Sequence, residues 1–367
     1  MFLGMSTSFL GPLVTHITGN LHITLSVFSG LVILRSLTYS AGSFFLGRIR
    51  KRISANRLIA LGLMLLPLLS FFYPRTRSVP VFAAALLLWG IAGALIEGGA
   101  DIRNGELPEE FAGQLSFLQY AAMSIGAMSG PFLLRNAMTG KSDFSGLPFY
   151  TLLPCILFAV LIFFLPQTDN NRNRPEELKS GTSPVRIVIL AAFLMFFACG
   201  IDSALNNWSP TAVFRSGITD EANAALMPMF FAVGSLLSRL VSAILIRRIR
   251  AEMIFTFSVS AVCAAAAGML LTRNYAVLLV LQFLFGFGNG AVFSSLLLLL
   301  RKHGYAGGGS VGFIIGLKNI GDMLISWLAG IILDQAGAAA CFGVLAAGAF
   351  LSFMLHFAVL RETAGRR

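Results

Sequence analysis

Charge is scarce in this chain of 367 residues: Asp, Glu, Lys and Arg make up only 12% of it, about half the share usual in soluble domains. With 56% hydrophobic residues and a mean hydropathy of +0.81, that scarcity excludes a water-soluble domain and marks a polytopic membrane protein. Acidic residues are scarcer than basic ones, 16 against 27. The net charge of +11 does not point to nucleic acid, because the Arg and Lys fall in short clusters between apolar runs, as topology signals do. The four cysteines, Cys155, Cys199, Cys263 and Cys341, sit inside apolar segments without CxxC spacing, which excludes a disulfide framework. The four histidines, His16, His22, His303 and His356, are too dispersed for a metal cluster. No metal or cofactor is therefore expected. The chain also lacks the clustered Asp or His, such as a DDxxD run, that a membrane-embedded enzyme acting on lipid-linked substrates would need. That class becomes the least favoured reading, and the chain is not expected to be an enzyme.

What is present is a series of apolar runs near the roughly 20 residues a span requires. They fall at about 22–46, 55–73, 79–101, 113–134, 147–165, 186–208, 224–246, 252–271, 275–300, 308–333 and 337–360. The N-terminal stretch "MFLGMSTSFLGPLVTHI" is short for a span before the polar segment "THITGN", which reads as a loop. It carries no Lys or Arg and no A-x-A site, so it does not read as a signal peptide. It reads as the second half of a first helix, giving twelve spans with an apparently truncated start and both termini on one side.

With the N-terminus inside, eighteen of the 27 basic residues fall in cytoplasmic segments and six in outer loops, so the positive-inside rule places both termini in the cytoplasm. Arg35, Arg239 and Lys318 lie within spans. The polar stretch "PQTDNNRNRPEELKSGTSP" reads as a cytoplasmic linker over 166–185, between six-helix halves 1–165 and 186–367. The halves echo each other: "LGRIRKRI" from Leu46 parallels "IRRIRAEM" from Ile246, and "WGIAGA" from Trp89 parallels "FGFGNG" from Phe285. This supports a parallel internal repeat with pseudo-two-fold symmetry. The "GFGNG" run follows no strand and reads as close helix packing, not a nucleotide fingerprint.

Twelve spans, a central loop and basic clusters after helices 2 and 8 resemble the major facilitator superfamily over essentially the whole chain. The family's loop motif G-x-x-x-D-R-x-G-R-K is degenerate here: in "SFFLGRIRKR" only the basic residues remain. Within the superfamily, three stretches resemble the fucose/glucose–galactose permease group and its sodium-dependent glucose transporter relatives. They are "GALIEGGADIRN" with Glu97, "LSFLQYAAMSIGAMSGP" with Gln119, and "FACGIDSALNNWSP" with Asp202 and Trp208. The chain has Ser8 where the fucose permease type carries an acidic residue in helix 1. The resemblance implies an integral protein of the cytoplasmic or inner membrane, monomeric, that moves a small-molecule solute by alternating access with H+ or Na+. The expected cargo is a sugar in symport. Efflux of amphipathic drugs or metabolites by proton antiport is the alternative.

Residue types and depth single out the candidate site. A charge at the bilayer centre costs on the order of 3 kcal/mol even on a lenient scale, so intramembrane charges have work to do. At about 1.5 Å per residue, Glu97, Gln119 and Arg239 share one depth, and Arg35, Lys318 and Asp322 another. The family architecture, which sets helix 2 facing 11 and helix 5 facing 8, makes Arg35, Asp322 and Arg239 expected gating residues between the halves. Lys318 and Asp322, four residues apart, alternatively neutralise each other on one helix face. Glu97 and Asp202 are the expected coupling carboxylates. Asp202, Asn206, Asn207, Trp208, Gln119, Asn289, Lys318 and Asn319 are the expected solute contacts, with amides for hydroxyls and an aromatic face for a ring.

Overall fold

In lipid a backbone satisfies its own hydrogen bonds only as a helix or a closed barrel, and every regular element among the described residues is an α-helix. The computed structural model describes residues 1–49, 53–72, 75–105, 109–139, 147–165, 185–245, 248–303, 305 and 308–364. The linker at 166–184 and the basic residues at 50–52 lie outside them. The chain divides into two compact units, Met1–Arg174 and Pro175–Arg367.

The first unit holds α1 (Phe2–Ser8), α2 (Leu10–Leu21), α3 (Leu25–Ile49), α4 (Ala55–Phe72), α5 (Val79–Gly105), α6 (Glu109–Thr139) and α7 (Leu147–Phe164). Helices α3 and α4 pack on α5, α7 on α4, and α1 on α6. Leu46, Leu58, Ala94 and Leu95 form a buried cluster where α3, α4 and α5 meet. The segment "THITGN" read as a loop is instead helical, within α2. Its polar groups are satisfied along the helix: Thr18 Oγ1 donates to the Val14 carbonyl at 2.9 Å, and Asn20 Nδ2 lies 3.0 Å from His16 Nε2. Because Phe9, between α1 and α2, also has helical angles (φ −72°, ψ −28°), helical backbone runs nearly unbroken from Phe2 to Leu21. The helix ends at His22, in the left-handed region at φ 52°, ψ 43°, whose N–H caps the Gly19 and Thr18 carbonyls.

The second unit holds α8 (Val185–Arg215), α9 (Glu221–Ala224), α10 (Met227–Leu245), α11 (Ala251–Leu271), α12 (Tyr275–Lys302) and α13 (Gly308–Ala364). Its core joins Ile187, Ala191 and Met195 of α8 to Phe255 and Val259 of α11, Leu296 and Leu299 of α12, and Ile314 and Val359 of α13. The "GFGNG" run lies at a crossing of helices. A Cβ on Gly286 would collide with the Phe231 backbone of α10, and one on Gly288 would stand 2.7 Å from the Ser258 carbonyl of α11.

Among the described residues, each of the eleven apolar runs lies largely on a helix, the last two on α13, which Gly337 breaks with φ 82° and ψ −177°. That conformation is open to glycine and closed to most side chains. Among the described residues, seven helices are long and apolar enough to cross a membrane.

Candidate functional site

Two polar stripes run along α8. Asp202, Asn206 and Ser209 follow a spacing of i, i+4, i+7 and share one side; Ser203 and Asn207 lie on the next. The first stripe meets α12. Asp202 accepts hydrogen bonds from Asn206 Nδ2 at 2.7 Å and from the Asn289 side chain of α12. Seven residues on, Ser209 Oγ lies 3.4 Å from the Gln282 amide nitrogen, and Gln282 in turn precedes Asn289 by seven on α12. The two helices therefore run antiparallel with polar rungs at matching intervals.

The second stripe meets α13. Ser203 Oγ donates to Asp322 Oδ1, Asn207 Nδ2 donates to Ser326 Oγ at 3.0 Å, and Trp208 Nε1 donates to the Ser326 carbonyl at 2.7 Å. The serine–aspartate and asparagine–serine pairs are both 119 residues apart in sequence, the mark of two helices held in one register. Small residues permit the approach: a Cβ on Gly200 would stand 2.6 Å from the Gly321 carbonyl, and one on Gly321 would collide with the Phe196 carbonyl.

Charge converges on the same level. Asp202 of α8 stands where the charges of Asp322 and Lys318 of α13 and of Arg239 of α10 all act on it. Two carboxylates and two cations balance formally, which makes the cluster tolerable where any one charge alone would not be. The assembly offers carboxylates and amides to a hydroxylated or cationic guest, and carboxylates able to exchange a proton or bind a small cation.

Of the expected solute contacts, Asp202, Asn206, Asn289 and Lys318 come together here. Asn319 is half-buried at the position after Lys318. Asn207 and Trp208 turn elsewhere: with 7% and 1% of their surface exposed, they direct their donors at Ser326 and hold α8 against α13. Trp208→Phe removes the indole donor while the Ser326 carbonyl keeps its helical partner. It should lower stability by about 1 kcal/mol, read as a drop in the melting midpoint of the purified protein.

In the first unit, Tyr39 Oη of α3 donates to Glu97 Oε2 of α5 at 2.6 Å. One turn before Tyr39, the Arg35 guanidinium lies 4.3 Å from the centroid of the buried Trp89 ring, a cation–π arrangement. Gln119 is half-buried on α6. The partners described here for Arg35, Glu97, Asp202 and Asp322 each lie within the same unit. Tyr39, Ser203, Ser326 and Gln282 were not singled out in the sequence, since a neutral polar residue in an apolar helix carries little signal of its own.

Comparison with known proteins agrees with these features. The family model described as Major Facilitator Superfamily matches residues 1–321. An uncharacterised MFS-type transporter of Bacillus subtilis, YfkL, is 23% identical over 301 residues, covering 77% of this chain and 75% of the relative. Sodium-dependent glucose transporter 1 of Xenopus laevis is 20% identical over 351 residues, covering 88% and 72%. Among solved structures, a D-xylose-proton symporter superposes with a TM-score of 0.75 at 12% identity, covering 98% of this chain and 94% of that one. With its all-helical fold, its apolar spans and a family match over most of its length, this integral membrane protein belongs to the Major Facilitator Superfamily of transporters.

Proposed function

We propose that the chain is a secondary active transporter that moves a small polar solute of the sugar class across the cytoplasmic membrane by alternating access, in symport with H+ or Na+. The observation that carries this reading is the convergence of Asp202, Asp322, Lys318 and Arg239, with Asn206 and Asn289, from four helices of the second unit. Such a cluster, expensive in lipid, is suited to a wet path that binds hydroxyls and exchanges a cation. The names of the relatives, a sodium-dependent glucose transporter and a D-xylose-proton symporter, support the same solute class and the same pair of ions. In this reading Asp202, Asn206, Asn289, Lys318, Asn319 and Gln119 contact solute. Glu97 and Asp202 couple the ion, and Arg35, Asp322 and Arg239 gate. The chain acts as a monomer of twelve spans in two pseudo-symmetric halves, 1–165 and 186–367, with both termini cytoplasmic.

The test is thermal-shift screening of the purified protein, wild type and Asp202→Asn, against sugars, amphipathic cations and organic acids. A hexose at about 100 times its Kd stabilises the folded protein by about 2.7 kcal/mol, so the wild-type midpoint should rise and the mutant's should not. Stabilisation by amphipathic compounds alone would overturn the sugar reading in favour of export.

A further inference from the structure

We infer that Gln282 and Ser209 form a second recognition point of the transport site, one that engages hydroxyl groups of the solute. Gln282 lies seven residues from Asn289 on α12, so both amides share the side of that helix that meets α8. Its side chain has no exposed surface. Its nitrogen reaches Ser209 Oγ at 3.4 Å, a long bond, and its Oε1 has no partner among the described residues. A buried amide satisfied on one side only weakens the fold where a leucine would not. That penalty has a use if a polar group arrives at this point during the transport cycle.

The backbone of α8 adds a second acceptor, one deprived of its ordinary helical donor. Pro210 lies inside the helix and has no N–H to donate, so the Asn206 carbonyl loses the bond that an ordinary residue at that position would supply. Between the Asp202–Asn289 rung and the Ser209–Gln282 rung, this side of α8 therefore carries the Asp202 carboxylate and the Asn206 carbonyl, with the half-satisfied amide of Gln282 at its end. Acceptors in excess call for donors, and the hydroxyls of a polyol are the matching chemistry. The rungs are about 10 Å apart along α8 at 1.5 Å per residue, the reach of a hexose with its hydroxyls extended. This assignment rests on the transporter reading and narrows its solute to a polyhydroxylated one.

The test compares wild type, Gln282→Leu and Ser209→Ala, full length in liposomes. The probes are D-glucose, D-xylose, uridine and tetraphenylphosphonium, with the monodeoxy analogues of whichever hydroxylated probe the wild type carries. Gln282→Leu should keep or raise the melting midpoint while KM for that probe rises about tenfold or more, the worth of one hydrogen bond. One deoxy analogue, poor for the wild type, should become equal to its parent in the mutant. An unchanged KM in Gln282→Leu with a lowered melting midpoint would make the amide purely structural and overturn this inference alone. A wild type that carries tetraphenylphosphonium and none of the hydroxylated probes would overturn it together with the sugar reading.

Discussion

Asp322→Asn should reduce solute uptake by about 100-fold or more and lower the melting midpoint of the protein, whereas Asp322→Asn combined with Lys318→Met should recover the midpoint without recovering uptake. Asp322 accepts from Ser203 of α8 and shares the level of Asp202, Lys318 and Arg239, a set whose formal charges cancel. Removing one carboxylate leaves one cation in excess in a half-buried, lipid-surrounded site. Leaving one charge of such a cluster without its counter-charge costs about 3 kcal/mol, which at about 1.4 kcal/mol per decade corresponds to a factor of about 100 in any step that needs the cluster assembled. Lys318 lies one turn from Asp322 on α13, so replacing it with methionine, similar in length and apolar, restores the balance. Stability should follow balance, because lipid penalises net charge. Uptake should not follow it, because a cluster stripped of two ionic groups has lost the means to bind and gate. The measurements are a melting curve and initial uptake rates of the solute found by thermal shift, on four proteins: wild type, each single mutant and the double. If the double mutant melts as low as Asp322→Asn, the two groups do not balance each other. If Asp322→Asn transports as wild type does, the cluster has no part in transport.

How far the sequence foretold this site depends on what each residue costs in lipid. Asp202, Lys318 and Asp322 stand out in a string of letters because a charge in an apolar run is expensive wherever it points. Their partners do not. Ser203 and Ser326 could satisfy themselves on their own helix, as Ser295 does by donating to the Ala291 carbonyl. Nothing local tells that Ser203 reaches an aspartate 119 residues away; only the register of α8 on α13 does. Gln282 was passed over for the same reason. Trp208 and Asn207 show the converse: an indole and an amide beside Asp202 read as a sugar platform in the sequence, and in the structure their donors engage Ser326 of α13. The positions of the helices were legible, because hydropathy and the need to close every backbone bond leave no alternative in lipid, while their ends were not: α8 runs to Arg215 and α6 to Thr139, beyond the apolar runs that mark them. The exception was "THITGN". A count of polar side chains made it a loop, and bonds from those side chains to their own turn of helix kept it within α2.

That register has its own test, in which one substitution made twice within α13 should have opposite signs. Gly321→Ala should destabilise the protein by about 3 kcal/mol, because its Cβ would meet the carbonyl oxygen, carbonyl carbon and Cα of Phe196. These are backbone atoms of α8 and cannot turn aside as a flexible side chain could. Overpacking of this kind costs about 1–3 kcal/mol, occasionally more, and a rigid helix backbone belongs at the upper end. Gly343→Ala, also in α13, should stabilise it by up to about 1 kcal/mol: nothing lies within 4 Å of the added Cβ, and alanine is the better helix former by about that amount. The two variants add the same methyl group, so differences in hydrophobicity cancel and only the approach of α8 to α13 remains. Because Gly321 immediately precedes Asp322, prising the helices apart there also withdraws Asp322 from Ser203. Uptake should therefore fall with Gly321→Ala and persist with Gly343→Ala. Equal melting midpoints for the two variants would mean that α8 and α13 are not held at the contact distance on which the Ser203–Asp322 and Asn207–Ser326 bonds depend.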